Sequence, residues 1–99
     1  MASLLNADEV ARELSTLDGW QGDGREIART AELPSFPAAI RVVDRVAEVA
    51  EEMDHHPDID IRWRTLTLRC ATHSAGGVTE LDVRLAHHID EIVRDVTAG

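Results

Sequence analysis

Between residues 59 and 70 the alternation of apolar and polar side chains changes phase. Ile59, Ile61 and Trp63 alternate with Asp60, Arg62 and Arg64, whereas Leu66, Leu68 and Cys70 alternate with Thr65, Thr67 and Arg69. An odd-numbered apolar set thus gives way to an even-numbered one. Because a slip of one residue turns every side chain to the opposite face, no single continuous strand can keep both sets buried. A tight turn or a bulge must fall across Trp63-Arg64-Thr65, which predicts two antiparallel strands.

Upstream, Ala39, Val43, Val46, Ala50 and Met53 fall at three- and four-residue steps, with Val42 and Val49 widening the stripe, and predict an amphipathic helix from Ala38 to Met53. Pro34 and Pro37 suit its start, where a missing N–H would lack a partner anyway. Pro57 disfavours helical geometry at His56, so the helix should end near Asp54 or His55. Asn6, with Glu9 three residues on, marks a first helix over about 7–18 that carries Val10, Leu14 and Leu17 and stops at Gly19. Trp20 to Arg25 contains the Gly22-Asp23-Gly24 chemistry of a turn between extended runs. The second run, Glu26 to Leu33, puts Ile27, Ala31 and Leu33 on one face, with Arg29 interrupting it. After Ser74 to Gly77, Thr79 and Asp82 form a capping pattern for a third helix carrying Leu85, Ala86, Ile89, Val93 and Val96.

The predicted order is α-β-β-α-β-β-α. It fits an α+β fold in which a four-stranded antiparallel sheet has three helices packed on one face. The opposite face would need a polar coat or a partner. Trp63 and Phe36 are expected in the core, and Arg62, Arg64 and Arg69 outside it.

The chain has 99 residues, 43% hydrophobic and 29% charged, which describes one domain over 1–99. Phe36, Trp20 and Trp63 are its only large aromatics, so the core must be mostly aliphatic, and so modest a core predicts packing against a copy of itself. Ten Lys and Arg against nineteen Asp and Glu leave a net charge of −9. That field repels phosphate backbones and anionic lipid surfaces, so neither direct nucleic acid binding nor a membrane partner is expected. No apolar run reaches the roughly 18 residues of a spanning helix, and the start, Met1 to Glu9, turns acidic without the basic region of an export signal. The single Cys70 excludes an internal disulfide and suits a reducing cytoplasm.

Four of the five histidines form two adjacent pairs, His55-His56 and His87-His88, and His73 closes the last predicted strand. With no Tyr and one Cys, imidazole is the obvious carrier for proton transfer near neutral pH, and carboxylates are its only rivals. Asp54-His55-His56-Pro57-Asp58 lies where a helix ends and a strand begins, so its imidazoles leave the chain in different directions, as a pocket wall requires. The alternative is that one caps the helix carbonyls and the other is solvated. His73 precedes a glycine-rich link and either serves a site there or simply ends the strand. His87 and His88 lie mid-helix about 100° apart and cannot face one ligand together. Without HExxH or any Cys/His pairing, no metal site is expected. Asp82 is the capping partner of Thr79, with or without a further role.

The segment Glu51-x-x-x-His55-His56-Pro57, then Trp63, Thr72-His73, Gly77-Val78-Thr79-Glu80-x-Asp82 and Leu85-Ala86, resembles the pterin-4a-carbinolamine dehydratase family. Gly19-Trp20 and Phe36 extend the likeness over nearly the whole chain. The resemblance implies the same α+β fold and an enzyme, 4a-hydroxytetrahydrobiopterin dehydratase, that removes water from 4a-hydroxytetrahydropterin to give quinonoid dihydropterin. An aromatic amino acid hydroxylase of the same pathway then reuses its cofactor. It implies no metal and no cofactor, and a homodimer or homotetramer. Its three active-site histidines fall on His55, His56 and His73, its pterin-lining residues on Asp54, Ala71, Thr72 and Ser74 beside those histidines, and its signature aspartate on Asp82. Where the family is usually richer in aromatics before the long helix, this chain has Ala31-Glu32-Leu33-Pro34-Ser35.

Two other functions remain open. One is a non-catalytic interaction module, since family members also stabilise a transcription factor's dimerisation. The other is pterin binding in molybdopterin-type cofactor metabolism. An intact histidine set favours the enzyme.

Overall fold

In the computed structural model, which describes residues 2–99, a two-residue turn resolves the phase change. Met1, where the reading of the N-terminus begins, lies outside the described residues. Strands β3 (Asp58–Arg62) and β4 (Thr65–Cys70) pair antiparallel with Arg62 opposite Thr65, leaving Trp63 and Arg64 as the turn. Trp63 takes φ 55°, a left-handed conformation that bulky residues rarely adopt. It is thereby carried out of the strand alternation into solvent, 71% exposed, with the Arg64 guanidinium 4.8 Å from its ring centre. Phe36 opens helix α2 (Phe36–Met53) and is 46% exposed. The expectation that these two aromatics are core residues is thus corrected, because one sits in a turn and the other at a helix end, outside the periodic positions.

The remaining elements follow the predicted order. Helix α1 spans Ala7–Leu14, strands β1 and β2 span Trp20–Gly22 and Ile27–Glu32, a single 3-10 turn spans His73–Ala75, and helix α3 spans Glu80–Ala98. Helix α1 ends earlier than the expected 7–18. The Ser15 and Thr16 hydroxyls donate to Arg12 O at 2.6 Å and Glu13 O at 2.7 Å, which competes with further helical bonding. Leu17 is nevertheless buried beyond the helix end. Asn6 and Glu9 form the reciprocal cap expected of them, and so do Thr79 and Asp82.

The sheet order is β1-β2-β4-β3, antiparallel throughout. On one face Ile27, Ala31, Leu66, Leu68 and Cys70 pack with Val42 and Val46 of α2 and Leu85 and Ile89 of α3 in one cluster. Arg29 belongs to that same face by register, opposite Trp20 and Leu68. It is accommodated there by Asp90 of α3, whose Oδ1 accepts from Arg29 Nη1 at 2.6 Å and from Trp20 Nε1 at 2.7 Å. The interrupted alternation of β2 therefore marks a tie between sheet and helix. The opposite face has the polar coat: Thr30 and Thr67 hydroxyls meet across the strands at 3.1 Å, and Arg69 reaches Glu26 at 3.5 Å.

The first hairpin is fastened to the end of the sheet at Gly24. Val78 N–H donates to Gly24 O at 2.9 Å, and a Cβ on Gly77 would lie 2.4 Å from that same carbonyl oxygen. Only glycine allows this approach. Gly77→Ala should therefore displace the Gly22–Arg25 loop and cost about 1–3 kcal/mol, as overpacking typically does. Urea denaturation checks this, and an unchanged midpoint would show that the loop yields without cost.

Candidate active site

The histidine segment owes its geometry to the end of α2. Asp54 adopts φ 50°, ψ 44°. His55 N–H donates to Ala50 O at 3.0 Å and Asp54 N–H to Glu51 O at 3.2 Å, the two closing bonds of a Schellman cap with aspartate where glycine is usual. Backbone groups thus cap this helix, and the imidazoles are free for other partners. The reversal turns His55 inward, where it is only 9% exposed, while His56 stays at the surface.

His55 Nε2 lies 2.5 Å from Oδ1 of Asp82, which is fully buried at the start of α3. The other carboxylate oxygen, Oδ2, accepts from the Thr72 hydroxyl at 2.8 Å and from Thr79 N–H at 2.9 Å. Thr72 and Thr79 hydroxyls lie 2.8 Å apart. Among the described residues no buried side-chain nitrogen or oxygen is left without a partner. Asp82 therefore combines both readings of it, capping α3 and holding an imidazole. His56 has its own carboxylate, Glu51 Oε2 at 2.5 Å, in an exposed pair.

Register brings these residues to one end of the sheet. Asp58 at the start of β3 stands opposite Arg69, and Ile27 at the start of β2 stands opposite Cys70. At this end Ala71, Thr72 and His73 line a cleft of about 720 Å³ together with Gln21, Asp23 and Arg25 of the first hairpin. His73 is exposed there. Asp54 and Ser74 are exposed and do not line the cleft, nor do His55 and His56. His55 is joined to it through Asp82 and Thr72. Sequence reasoning missed three contributions: Thr79 beyond its capping role, Glu51 as the partner of His56, and the hairpin wall. The E-x-x-x-H-H spacing contained a signal for Glu51; the hairpin wall depends on docking and had none. His87 and His88 are exposed on α3, away from these partners.

Cys70 ends β4 beneath this network. Burial first, then the negative charges of Asp82, Asp58 and Glu26, push its thiol well above the ordinary cysteine range. Since the thiolate is the nucleophile, Cys70 in the native protein should resist a thiol reagent at pH 8 and react promptly in denaturant. Rapid stoichiometric labelling of the folded protein would contradict this.

Among the described residues no three His, Cys, Asp or Glu side chains converge on a possible metal position, and no helix is long and apolar enough to cross a membrane. Fold and site together define a class: a small α+β domain holding two carboxylate-bonded imidazoles, one buried and one exposed, at the sheet end that carries a polar cleft. Comparison with known proteins makes the class specific. The profile of the pterin 4 alpha carbinolamine dehydratase family matches residues 3–92. A protein of Nocardia farcinica named "Putative pterin-4-alpha-carbinolamine dehydratase" is 56% identical over 91 residues, 92% of this chain and 96% of that one. One of the same name from Roseiflexus castenholzii is 55% identical over 94% of this chain and 100% of its own length. A crystal structure of a "transcriptional coactivator/pterin dehydratase" from Brucella melitensis superposes with a TM-score of 0.86 at 37% identity, covering 90% of this chain and 97% of that one. The chain belongs to the pterin-4a-carbinolamine dehydratase family.

Proposed function

We propose that this protein dehydrates a 4a-hydroxytetrahydropterin to the quinonoid dihydropterin, with histidines as general acid and base, and so supports tetrahydropterin recycling. The observation that carries this reading is the buried pair of His55 and Asp82, joined through Thr72 to the cleft that His73 lines. In the reaction the C4a–O bond breaks, the departing hydroxyl takes a proton and leaves as water, and the adjacent ring nitrogen gives one up. Both transfers suit imidazole, and each is worth typically ~10²–10⁴-fold.

One of His55 and His56 positions or deprotonates the pterin, and another of His55, His56 and His73 protonates the leaving hydroxyl. Asp54 and Ala71 to Ser74 flank these histidines and complete the pterin site. The substrate is a tetrahydrobiopterin-type carbinolamine supplied by an aromatic amino acid hydroxylase, and the enzyme works in the cytoplasm as a homodimer or homotetramer. The test substitutes His56→Ala and His73→Ala under saturating substrate. Full turnover in both would refute these roles.

The exposed Trp63 and Ile61 of the β3–β4 hairpin, with Phe36 also exposed, favour a second reading as an interaction module. The Brucella relative, named both transcriptional coactivator and pterin dehydratase, is consistent with the two roles in one fold.

A further inference from the structure

The protons of the buried network can be assigned from its geometry. The Thr72 hydroxyl donates to Asp82 Oδ2, so its oxygen must accept from the Thr79 hydroxyl 2.8 Å away. Thr79 Oγ1 in turn accepts from Leu81 N–H at 3.2 Å. The chain of donation therefore has one direction, from Leu81 N–H through Thr79 and Thr72 to Asp82. Thr79 N–H donates to the same carboxylate oxygen at 2.9 Å. With Oδ2 accepting two bonds, Oδ1 is left to His55, and a carboxylate without a proton of its own can only accept. His55 must then carry its proton on Nε2, which leaves Nδ1 as the ring nitrogen not engaged by Asp82.

We propose that Thr72 and Thr79 are positioning residues that fix this state of His55. The two donors on Oδ2 hold the Asp82 carboxylate against rotation, and the fixed Oδ1 holds the orientation and tautomer of the imidazole. This inference rests on the dehydratase reading for its catalytic consequence, though the hydrogen-bond arrangement stands independently of it. Thr79 is fully buried and reaches the imidazole only through Thr72 and Asp82. Thr72 loses nothing of its backbone pairing with Gly77, at 2.8 Å, when only its side chain changes.

The test compares Thr72→Val, Thr72→Ala and Thr72→Ser in the coupled dehydration assay and, on protein labelled with ¹⁵N-histidine, by the exchange of the His55 Nε2 proton with water. In the valine and alanine variants the expected results are exchange at least about tenfold faster and, at saturating substrate, a kcat lower by up to about 10²-fold, the scale of loss expected when a reacting group is misplaced. The serine variant keeps the donating hydroxyl and should reverse most of both effects relative to alanine. The alanine variant supplies the result if valine prevents folding. Parent-like exchange and kcat in the alanine variant, or a serine variant as impaired as alanine, would overturn the proposal. Should the parent protein fail to accelerate dehydration, the dehydratase reading falls, and the exchange series alone decides whether the threonines hold His55.

Discussion

Replacing Asp82 with alanine is expected to destabilise the fold by about 3–5 kcal/mol, because each buried donor left without its acceptor costs about 1–3 kcal/mol. Three donors converge on this one carboxylate: His55 Nε2, the Thr72 hydroxyl and Thr79 N–H. All lose their acceptor together, at a site with no exposure through which water could substitute. The Thr79 N–H bond among them is also the reciprocal half of the α3 capping box, so the start of the helix loosens with it. In a domain of this size the combined loss should lower Tm by on the order of 15 °C or more. Asp82→Asn preserves the volume and one acceptor, so it should cost clearly less than alanine while still disturbing His55. Thermal unfolding followed by circular dichroism checks both, and an alanine variant melting within a few degrees of the parent would show that the network contributes little to stability.

The second large effect concerns His55 itself. Glutamine at this position keeps an N–H that can reach Asp82, so the fold should survive, yet its amide neither takes nor gives a proton near neutral pH. His55→Gln is accordingly expected to lower kcat by ~10²–10⁴-fold, the range attributed to one general acid or base. This separates the chemical role of the imidazole from its place in the buried network, which an alanine substitution would confound. A glutamine variant with the parent's kcat and melting temperature would remove His55 from the chemistry and leave it a structural residue.

Much of this architecture could be read from local patterns. The Asn6–Glu9 and Thr79–Asp82 caps are short-range devices whose spacing carries its own meaning, and both formed as read. The periodicity of Ala39 to Met53 and the phase change near Trp63 likewise express single physical constraints, one face of a helix and one face of a strand. What escaped depends on partners distant in sequence. Arg29 looked like a fault in β2 until Asp90, 61 residues on, supplied its counter-charge. Trp63 looked apolar and periodic, but the turn needed two residues, and it became one of them.

The site divides in the same way. His55, His56, His73 and Asp82 could be singled out by residue type and by resemblance, and the fold gathers them at one sheet end. That His55 is buried on Asp82 while His56 is paired with Glu51 at the surface could not be read from two adjacent letters. The Schellman cap at Asp54 decides it, by reversing the chain between them. The hairpin wall of the cleft was equally illegible, since it depends on the close approach of Gly24 and Gly77.

The most direct measurement is the rate at which 4a-carbinolamine, generated by a coupled aromatic amino acid hydroxylase, loses water with and without this protein. Acceleration well above the spontaneous rate, abolished by His73→Ala, is the predicted result. Folded protein that leaves the spontaneous rate unchanged would contradict the dehydratase account and turn attention to the exposed aromatic surface and its partners.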